Sequence, residues 1–188
     1  MKINYKQLIK NWHIRANEND YFSKFVFEYL AFIAFLKTQK YLNEKNDRSA
    51  IQKLKIETQI KDKYLSKINS NQHLKSNWKK LKQELERRRL GNTSRDLNNV
   101  KEITWWNCSH DKPEQMTDDE KNKLKGVIHS LNDWENMVEF WYSIRNNLFH
   151  GSKNSENERD QLLAEYGFKT LKELVEIFLN EKDEIQTN

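Results

Sequence analysis

The chain has 188 residues, a formal net charge of +5 and a pI near 9.1, with only four glycines and one proline. This length fits one domain with a hydrophobic core, while so few turn residues argue against hairpin-rich β folds and glycine loops that cradle nucleotides. The composition predicts an all-α protein with a mild attraction to polyanions.

The first half of the chain predicts four helices. Hydrophobic spacing indicates one over about 5–15 and a second over about 20–42. The second is apolar on several sides, so it needs cover from its own bundle or from a second subunit. A third is predicted from Asp47, as its cap, to about 68. A fourth runs from about 71 to 90, where Gly91 marks the stop.

The second half predicts helices separated by short breaks. Residues 92–116 lack periodicity and are predicted to be mostly loop, or a loop plus a short turn of helix. A capping box at Thr117 opens a helix, and its apolar stripe runs through Val127 and Leu131 to Leu148. A restart signal lies within that stripe at Asn132-x-x-Glu135.

Two further helices are predicted after residue 155. The first opens at Ser155-x-x-Glu158 and ends at Gly167, and the last opens at Thr170-x-x-Glu173. Together the elements predict an up-and-down helical bundle. It would be a single domain over 1–188, with a basic helical insertion and loop at about 45–116.

The expected location is cytoplasmic. A lone cysteine, Cys108, excludes an intramolecular disulfide and fits a reducing compartment. The amino terminus leads into no apolar signal-peptide core, and the most apolar stretch, 29–36, is far shorter than the ~20 residues of a membrane span. We therefore expect a soluble protein with no membrane partner.

The most informative motif is Arg145-Asn-Asn-Leu-Phe-His150, closed by Gly151. An arginine can grip a phosphate through two parallel hydrogen bonds, and a histidine can move protons near neutral pH. Metal-free attack on an RNA phosphodiester needs both. The spacing puts Arg145 at the border of the apolar stripe, with Asn146 and Asn147 pointing away from it.

The spacing of the Arg145 guanidinium and the His150 imidazole is compatible with two interpretations, a catalytic pair and a helix cap. Arg145 and His150 are about 140° apart on an ideal helix, so either the guanidinium reaches around or the helix unwinds at Gly151. An arginine and a histidine near a helix end are also common as partners of the helix dipole. Spacing alone does not separate a catalytic pair from a helix cap.

The stretch 140–151, Phe-Trp-Tyr-Ser-Ile-Arg-Asn-Asn-Leu-Phe-His-Gly, resembles the Arg-polar-x-x-x-His signature of HEPN domains, small α-helical proteins many of which are ribonucleases. The resemblance implies a HEPN-like bundle whose subunits pair, so that two motifs form one cleft. There Arg145 would hold the scissile phosphate, and His150 would activate the ribose 2′-OH or protonate the leaving oxygen. Asn146 would orient His150 or the substrate.

The function that this resemblance implies is a metal-independent endoribonuclease that needs no cofactor. It would leave a 2′,3′-cyclic phosphate and a 5′-OH. The expected role is a toxin or antiviral (phage-defence) effector that acts as a homodimer and is held in check by an antitoxin or another regulatory protein. Ser152 stands where a toxin branch of the family carries a tyrosine that a nucleotidyltransferase modifies, so that particular pairing is in doubt.

The alternative function is a non-catalytic HEPN-like module. It would dimerise or bind RNA or a protein partner, and Arg145, Asn146 and His150 would then cap a helix. The two functions differ in whether the motif cleaves RNA.

Further RNA contacts are predicted at Lys153, three residues after His150, and at Asn147. The fourth helix also carries a basic run with Trp78 interleaved, which suits phosphate tracking and base stacking. Glutamates interrupt that run, and such faces are usually solvated surface. Its RNA-contact candidates are Arg87, Arg88 and Arg89. The segment 105–111 brings cysteine, histidine and aspartate together without zinc-ligand spacing, so no metal site is predicted.

Overall fold

The computed structural model describes residues 4–17, 20–90, 126–149 and 156–185. Within these ranges the chain forms seven α-helices, one π-helical turn and no strand, which confirms the predicted all-α class. None of these helices is long and apolar enough to cross a membrane. The elements are α1 (Tyr5–Arg15), α2 (Tyr21–Phe35) followed by the π-helical turn Leu36–Lys40, α3 (Asp47–Ile56), α4 (Thr58–Ser70), α5 (Gln72–Arg87), α6 (Trp134–Phe149) and α7 (Glu158–Ile185).

Helices α2 and α7 run side by side in the same direction at the centre of the bundle. The ring of Tyr21 lies 6.3 Å from that of Phe168 at one end, and Phe35 stacks on Phe178 at 4.1 Å at the other. Aromatic pairs of this kind bury large areas with defined geometry. They fix the lengthwise register of the two helices.

Helix α6 packs against α2 in the opposite direction. Its Trp141 lies 6.2 Å from Phe32, and the guanidinium of Arg145, one turn further along, lies 5.8 Å from the ring of Tyr29, one turn earlier in α2. The carboxyl-terminal part of α6 is therefore placed beside the middle of α2.

A hydrogen-bonded aromatic cluster joins α4, α5, α6 and α7. The Tyr64 hydroxyl donates to the carbonyl of Thr170 at 2.7 Å and accepts from Trp78 Nε1 at 3.0 Å. Trp141 Nε1 donates to the Thr170 hydroxyl at 2.9 Å. All four side chains are buried, so each polar atom finds a partner inside the core, as burial requires.

Helix α2 begins as predicted and is covered within the chain. Asp20 caps it, since its carboxylate accepts from the backbone nitrogens of Phe22 and Ser23. Phe27, on a side left open by the central helices, stacks on Trp12 of α1 at 5.6 Å. Helix α1 thus supplies part of the cover that the sequence left open to a second subunit.

The third predicted helix is two helices, and its cap is not Asp47. Asn46 caps α3 by accepting from the backbone nitrogen of Ser49 at 2.9 Å, which leaves the Asp47 carboxylate for other contacts. Glu57 is extended (φ −76°, ψ 103°) and separates α3 from α4. The break turns the chain so that α3 packs on α6 while α4 packs on α5 and α7.

Gly167 does not end a helix; it lies inside the continuous helix α7. A Cβ atom there would lie only 3.0 Å from the ring of Phe25, which is itself fully buried. The glycine therefore permits close approach of α7 to α2, and the predicted stop was wrong because packing, not a left-handed turn, requires it.

The long stripe before Leu148 is helical only from Trp134, next to the predicted restart. Residues 126–133 are not helical. Asp133, just before α6, accepts from the backbone nitrogen of His129 at 2.8 Å and from Asn136 Nδ2 at 2.9 Å. Burial raises the pKa of Asp133, but these hydrogen bonds and the imidazole of His129 outweigh it and hold the pKa below its usual range. The capping box at Thr117 lies outside the described residues.

Candidate functional site at the carboxyl end of helix α6

Arg145 lies near the carboxyl end of α6 with its side chain 31% exposed, at the border of the buried face as its spacing predicts. Its guanidinium carbon lies 4.6 Å from the ring centre of Phe149 and 5.8 Å from that of Tyr29. Aromatic rings attract a guanidinium at these distances. The side chain is therefore held in place while part of it stays open to solvent.

The next residue helps to hold the arginine. Arg145 Nη1 donates to Asn146 Oδ1 at 2.9 Å, and Asn146 is partly buried. The structure thus pairs the arginine with the amide that the motif places beside it. In this arrangement Asn146 orients Arg145; its expected role toward His150 stays a prediction.

Asn147 does not point away from the core as predicted; it is only 1% exposed. The buried face of α6 is wider than the apolar stripe suggested. It includes Ser143, one turn before Asn147, and buried Ile144 beside it. Asn147 as packed therefore has no surface to offer RNA, and we correct that prediction.

Asp47, the first residue of α3, faces Arg145. Its Oδ2 lies 3.7 Å from Arg145 Nη2, and its Oδ1 lies 3.2 Å from Lys37 Nζ. The first separation is too long for a hydrogen bond, so the carboxylate attracts the guanidinium without engaging its N–H groups directly. The Asp47 side chain is 27% exposed, which makes the cluster accessible from solvent.

A second carboxylate, Glu139 of α6, anchors α3 beside this cluster. It is fully buried between Arg48, whose Nη1 lies 2.7 Å from Oε2, and Lys55, whose Nζ lies 2.9 Å from Oε1. Arg48 also lies over the ring of Tyr142. Two cations around one buried carboxylate satisfy both of its oxygens and fix the position of α3 against α6.

The hydroxyl of Tyr29 is the unusual atom of this region. The residue is 2% exposed, and within the described chain its Oη has no hydrogen-bond partner. Burial raises the pKa of Tyr29 far above its usual range, and the charge of Asp47 raises it further, whereas Arg145 and Arg48 lower it. The hydroxyl thus stays a proton donor and lies within electrostatic range of those three charged groups.

The other half of the motif lies outside the described residues. These are His150, Gly151 and the predicted phosphate contact Lys153. The segment 105–111 with its tryptophans and Cys108 is likewise outside them. The described part of α6 ends at Phe149, directly before His150.

The predicted basic contacts on α5 lie at its end, against the start of α7. Arg87 is exposed and pairs with Glu84 at 2.8 Å. Arg159 of α7 binds the same carboxylate at 2.9 Å and donates to the carbonyl of Arg88 at 2.6 Å. Arg89 is exposed beside them. A cleft of about 760 Å³ lies here, and Arg87, Arg88 and Arg159 are among its lining residues.

This cleft is an electrically mixed surface. Its lining also includes Glu84, Glu156 and Glu158, so the carboxylates offset much of the positive charge. Burial lowers the pKa of Arg159, against which its bond to Glu84 acts. RNA contact at Arg87, Arg88 and Arg89 stays a prediction, and the cleft is a weaker candidate than the Arg145 cluster.

Sequence reasoning missed Lys37, Asp47 and Tyr29 as members of the candidate site. Asp47 was interpreted as a cap and Tyr29 as part of an apolar stripe. All three residues lie about 100 residues from Arg145 along the chain, so no local spacing connects them to the motif. The only signal was a hydroxyl placed in an otherwise apolar helix face.

Comparison with known proteins adds no family assignment. No protein-family model, curated protein or solved structure matches this chain. The motif and the geometry around Arg145 are therefore the features of this chain that indicate a function.

Proposed function

We propose that the chain is a metal-independent endoribonuclease of HEPN type, with Arg145 and His150 as its catalytic pair. The observation that carries the proposal is that Arg145 is both oriented by its neighbours and accessible to solvent. Its guanidinium is oriented by two rings and Asn146, is partly open to solvent, and belongs to a residue four positions before Phe149, the last described residue before His150. A group that must meet a phosphate needs both orientation and access.

The chemistry that this pair supports is attack by the RNA's own 2′-OH. Arg145 binds the non-bridging oxygens of the phosphodiester and stabilises the charge that builds up there. His150 takes the 2′-OH proton or gives a proton to the departing 5′-oxygen. The new bond is 2′-O–P and the broken bond is P–O5′, so the products are a 2′,3′-cyclic phosphate and a 5′-OH.

Two copies of the chain would each contribute one motif to a shared cleft, as in the family that the motif resembles. The net charge of +5 favours RNA as the polyanion. A toxin or phage-defence role restrained by a regulatory partner, and a cytoplasmic location, belong to the same proposal.

The test is cleavage of a labelled RNA in the presence of a chelator. Wild-type protein should cut it and leave 2′,3′-cyclic phosphate ends. His150→Ala should lower the rate by about 10²–10⁴-fold, as loss of a general acid or base does, and Arg145→Ala by about 10²–10³-fold, as loss of a charge-stabilising donor does. Sedimentation of the same samples tests the dimer.

Matched controls are available in the chain. Arg15→Ala removes an arginine that also lies over an aromatic ring near a helix end, 5.7 Å from Phe27, and His73→Ala removes an exposed histidine. Both should cleave like wild type. Cleavage that survives in both Arg145→Ala and His150→Ala would refute the proposal.

One observation favours the second candidate, a non-catalytic module. Arg145 contacts Asp47 of α3 and Tyr29 of α2, as a purely structural tie between helices would. On that reading Arg145→Ala lowers the free energy of unfolding and no variant changes RNA cleavage, because none occurs.

A further inference from the structure

We infer that Asp47 occupies, in the free protein, an anion site formed by Lys37 and Arg145, that an RNA phosphodiester displaces it, and that the Tyr29 hydroxyl then donates to the phosphodiester. The inference deepens the proposed function, since it rests on phosphate binding by Arg145. It adds an intramolecular competitor, Asp47, and two further ligand-binding residues, Lys37 and Tyr29.

The first support is the way Asp47 is bound. Its carboxylate lies 3.2 Å from Lys37 Nζ and 3.7 Å from Arg145 Nη2, with the three side chains between 27% and 34% exposed. Ion pairs this exposed contribute little free energy. Asp47 makes no hydrogen bond to Arg145 at this distance, whereas the two non-bridging oxygens of a phosphodiester can bind a guanidinium through two hydrogen bonds, so a phosphodiester can displace the carboxylate.

The second support is the charge around it. Among the described residues, the ion pairs of this corner bring together four cations, Lys37, Arg48, Lys55 and Arg145, and two carboxylates, Asp47 and Glu139. Cations thus lie on both sides of Asp47 and of Glu139. Glu139 is buried and fully used by Arg48 and Lys55, so Asp47 is the carboxylate that can leave.

The third support is the Tyr29 hydroxyl. Buried polar groups are nearly always hydrogen-bonded, yet this one has no partner among the described residues. Tyr64, an equally buried tyrosine, both donates and accepts. The ring that carries the Tyr29 hydroxyl lies 5.8 Å from the guanidinium carbon of Arg145, which itself pairs with Asp47. An oxyanion that enters as Asp47 moves aside gives this hydroxyl an acceptor.

The substrate class follows from these donors. A guanidinium, an ammonium and a hydroxyl all donate, so the site accepts an anion with several oxygens. A phosphodiester fits this requirement, and the exposed ring of Phe149, 59% accessible beside Arg145, offers a base a stacking surface. Inorganic phosphate shares the donors but not the ring.

The test is binding of a fluorescent 2′-O-methyl oligoribonucleotide, which lacks the attacking 2′-OH and cannot be cleaved by the proposed chemistry. Asp47→Asn should bind it about threefold to tenfold more tightly, since an exposed competitor is removed. Tyr29→Phe should bind about tenfold more weakly, since a hydrogen bond to a charged group is lost. Inorganic phosphate as competitor shows whether a nucleotide is required.

Three controls separate binding from charge and from folding. Glu173→Gln removes a carboxylate of similar exposure, 22%, that pairs with Lys67 at 2.7 Å, and should leave affinity unchanged. Tyr41→Phe removes another buried hydroxyl without a described partner and should do the same. Tyr29→Phe should unfold at the same denaturant concentration as wild type or a higher one, because its hydroxyl makes no hydrogen bond to the described residues.

The outcomes are distinct from those of the cleavage assay. Tighter binding by Asp47→Asn but not by Glu173→Gln supports the inference even if no RNA is ever cut. Unchanged binding by Asp47→Asn, or an equal gain from Glu173→Gln, overturns it even if the protein is a ribonuclease. So does a Tyr29→Phe variant that binds like wild type.

Discussion

Two buried side chains differ in how completely the fold satisfies their polar atoms. Tyr64 uses its hydroxyl as donor and acceptor within the core. Glu28 is fully buried; its Oε1 lies 2.8 Å from His13 Nδ1, while its Oε2 has no partner in the described part of the chain. Since a buried charge is unfavourable unless its atoms are paired, Glu28 lowers stability where it is ionised.

Glu28→Gln should therefore stabilise the protein at alkaline pH. Burial raises the pKa of Glu28, against its bond to His13, so the folded state binds its proton more tightly than the unfolded state does. The free energy of unfolding then rises as pH falls from the folded pKa toward the ordinary value of about 4.3. Urea unfolding should show Glu28→Gln more stable by about 1 kcal/mol at pH 8, with the gap closing at lower pH.

The charged groups near Glu28 also influence its pKa, so the pH experiment needs a control variant at a different carboxylate. These groups are His13 of α1, and Lys172 and Glu176 of α7. The closing of the gap at lower pH is assigned to Glu28, because burial raises its pKa. Glu86→Gln, at an exposed ion pair with Lys82, should show no such pH dependence. A gap that widens on acidification would contradict this account.

At the scale of elements, the sequence predicted what local spacing determines. The bounds of α1 and the start of α2 near residue 20 were confirmed, because apolar periodicity acts within a few residues, whereas α2 ends at Phe35 and not near residue 42. The break at Glu57 and the role of Gly167 were missed. These two features depend on parts of the chain that are distant in sequence. The break at Glu57 depends on the packing of α3 and α4 against α6 and α7, and the role of Gly167 depends on Phe25 of α2.

Gly167→Ala should destabilise the protein although alanine favours helices. The gain in helix propensity is about 1 kcal/mol, whereas overpacking a core costs about 1–3 kcal/mol, and the added Cβ would lie 3.0 Å from a buried ring. We expect a net loss of about 1 kcal/mol by chemical denaturation. A double-mutant cycle with Phe25→Leu should recover most of that loss.

A Gly167→Ala variant more stable than wild type would show that Phe25 moves aside freely. In that case helix α7 would need no glycine at this position, and its lack of a side chain would have no role in packing.

The candidate site shows the same division between local and distant information. The motif located Arg145 and Asn146 at the surface of a helix end, because both belong to one continuous stretch. Asn147 was misplaced, since the buried face of α6 includes polar residues that a hydrophobic pattern ignores. Lys37, Asp47 and Tyr29 come from other helices and appear beside Arg145 only when the bundle is assembled.

At the scale of the whole molecule, the described helices share one core. Buried residues of α4 and α5 meet those of α6 and α7 in the Tyr64 cluster. That residues 45–116 are an insertion stays a prediction. The helices of this segment, α3 to α5, contribute to the same core. Such an arrangement favours a single cooperative unfolding transition.

Tyr64→Phe tests that cooperativity. The substitution leaves the buried Trp78 Nε1 without its acceptor, which costs about 1–3 kcal/mol. Circular dichroism and tryptophan fluorescence should report one coincident transition, shifted to lower denaturant. Two separate transitions, with only one of them shifted, would mean that part of the bundle unfolds independently.

The position of Glu139 limits how helix α3 can detach. Both cations that neutralise this buried carboxylate, Arg48 and Lys55, are carried by α3. If α3 detached while the other helices stayed folded, the negative charge of Glu139 would remain in the interior without its two cations, at a cost of about 3–5 kcal/mol. Its backbone amides should therefore exchange with deuterium as slowly as those of α6, so that this surface helix opens only when the entire bundle does.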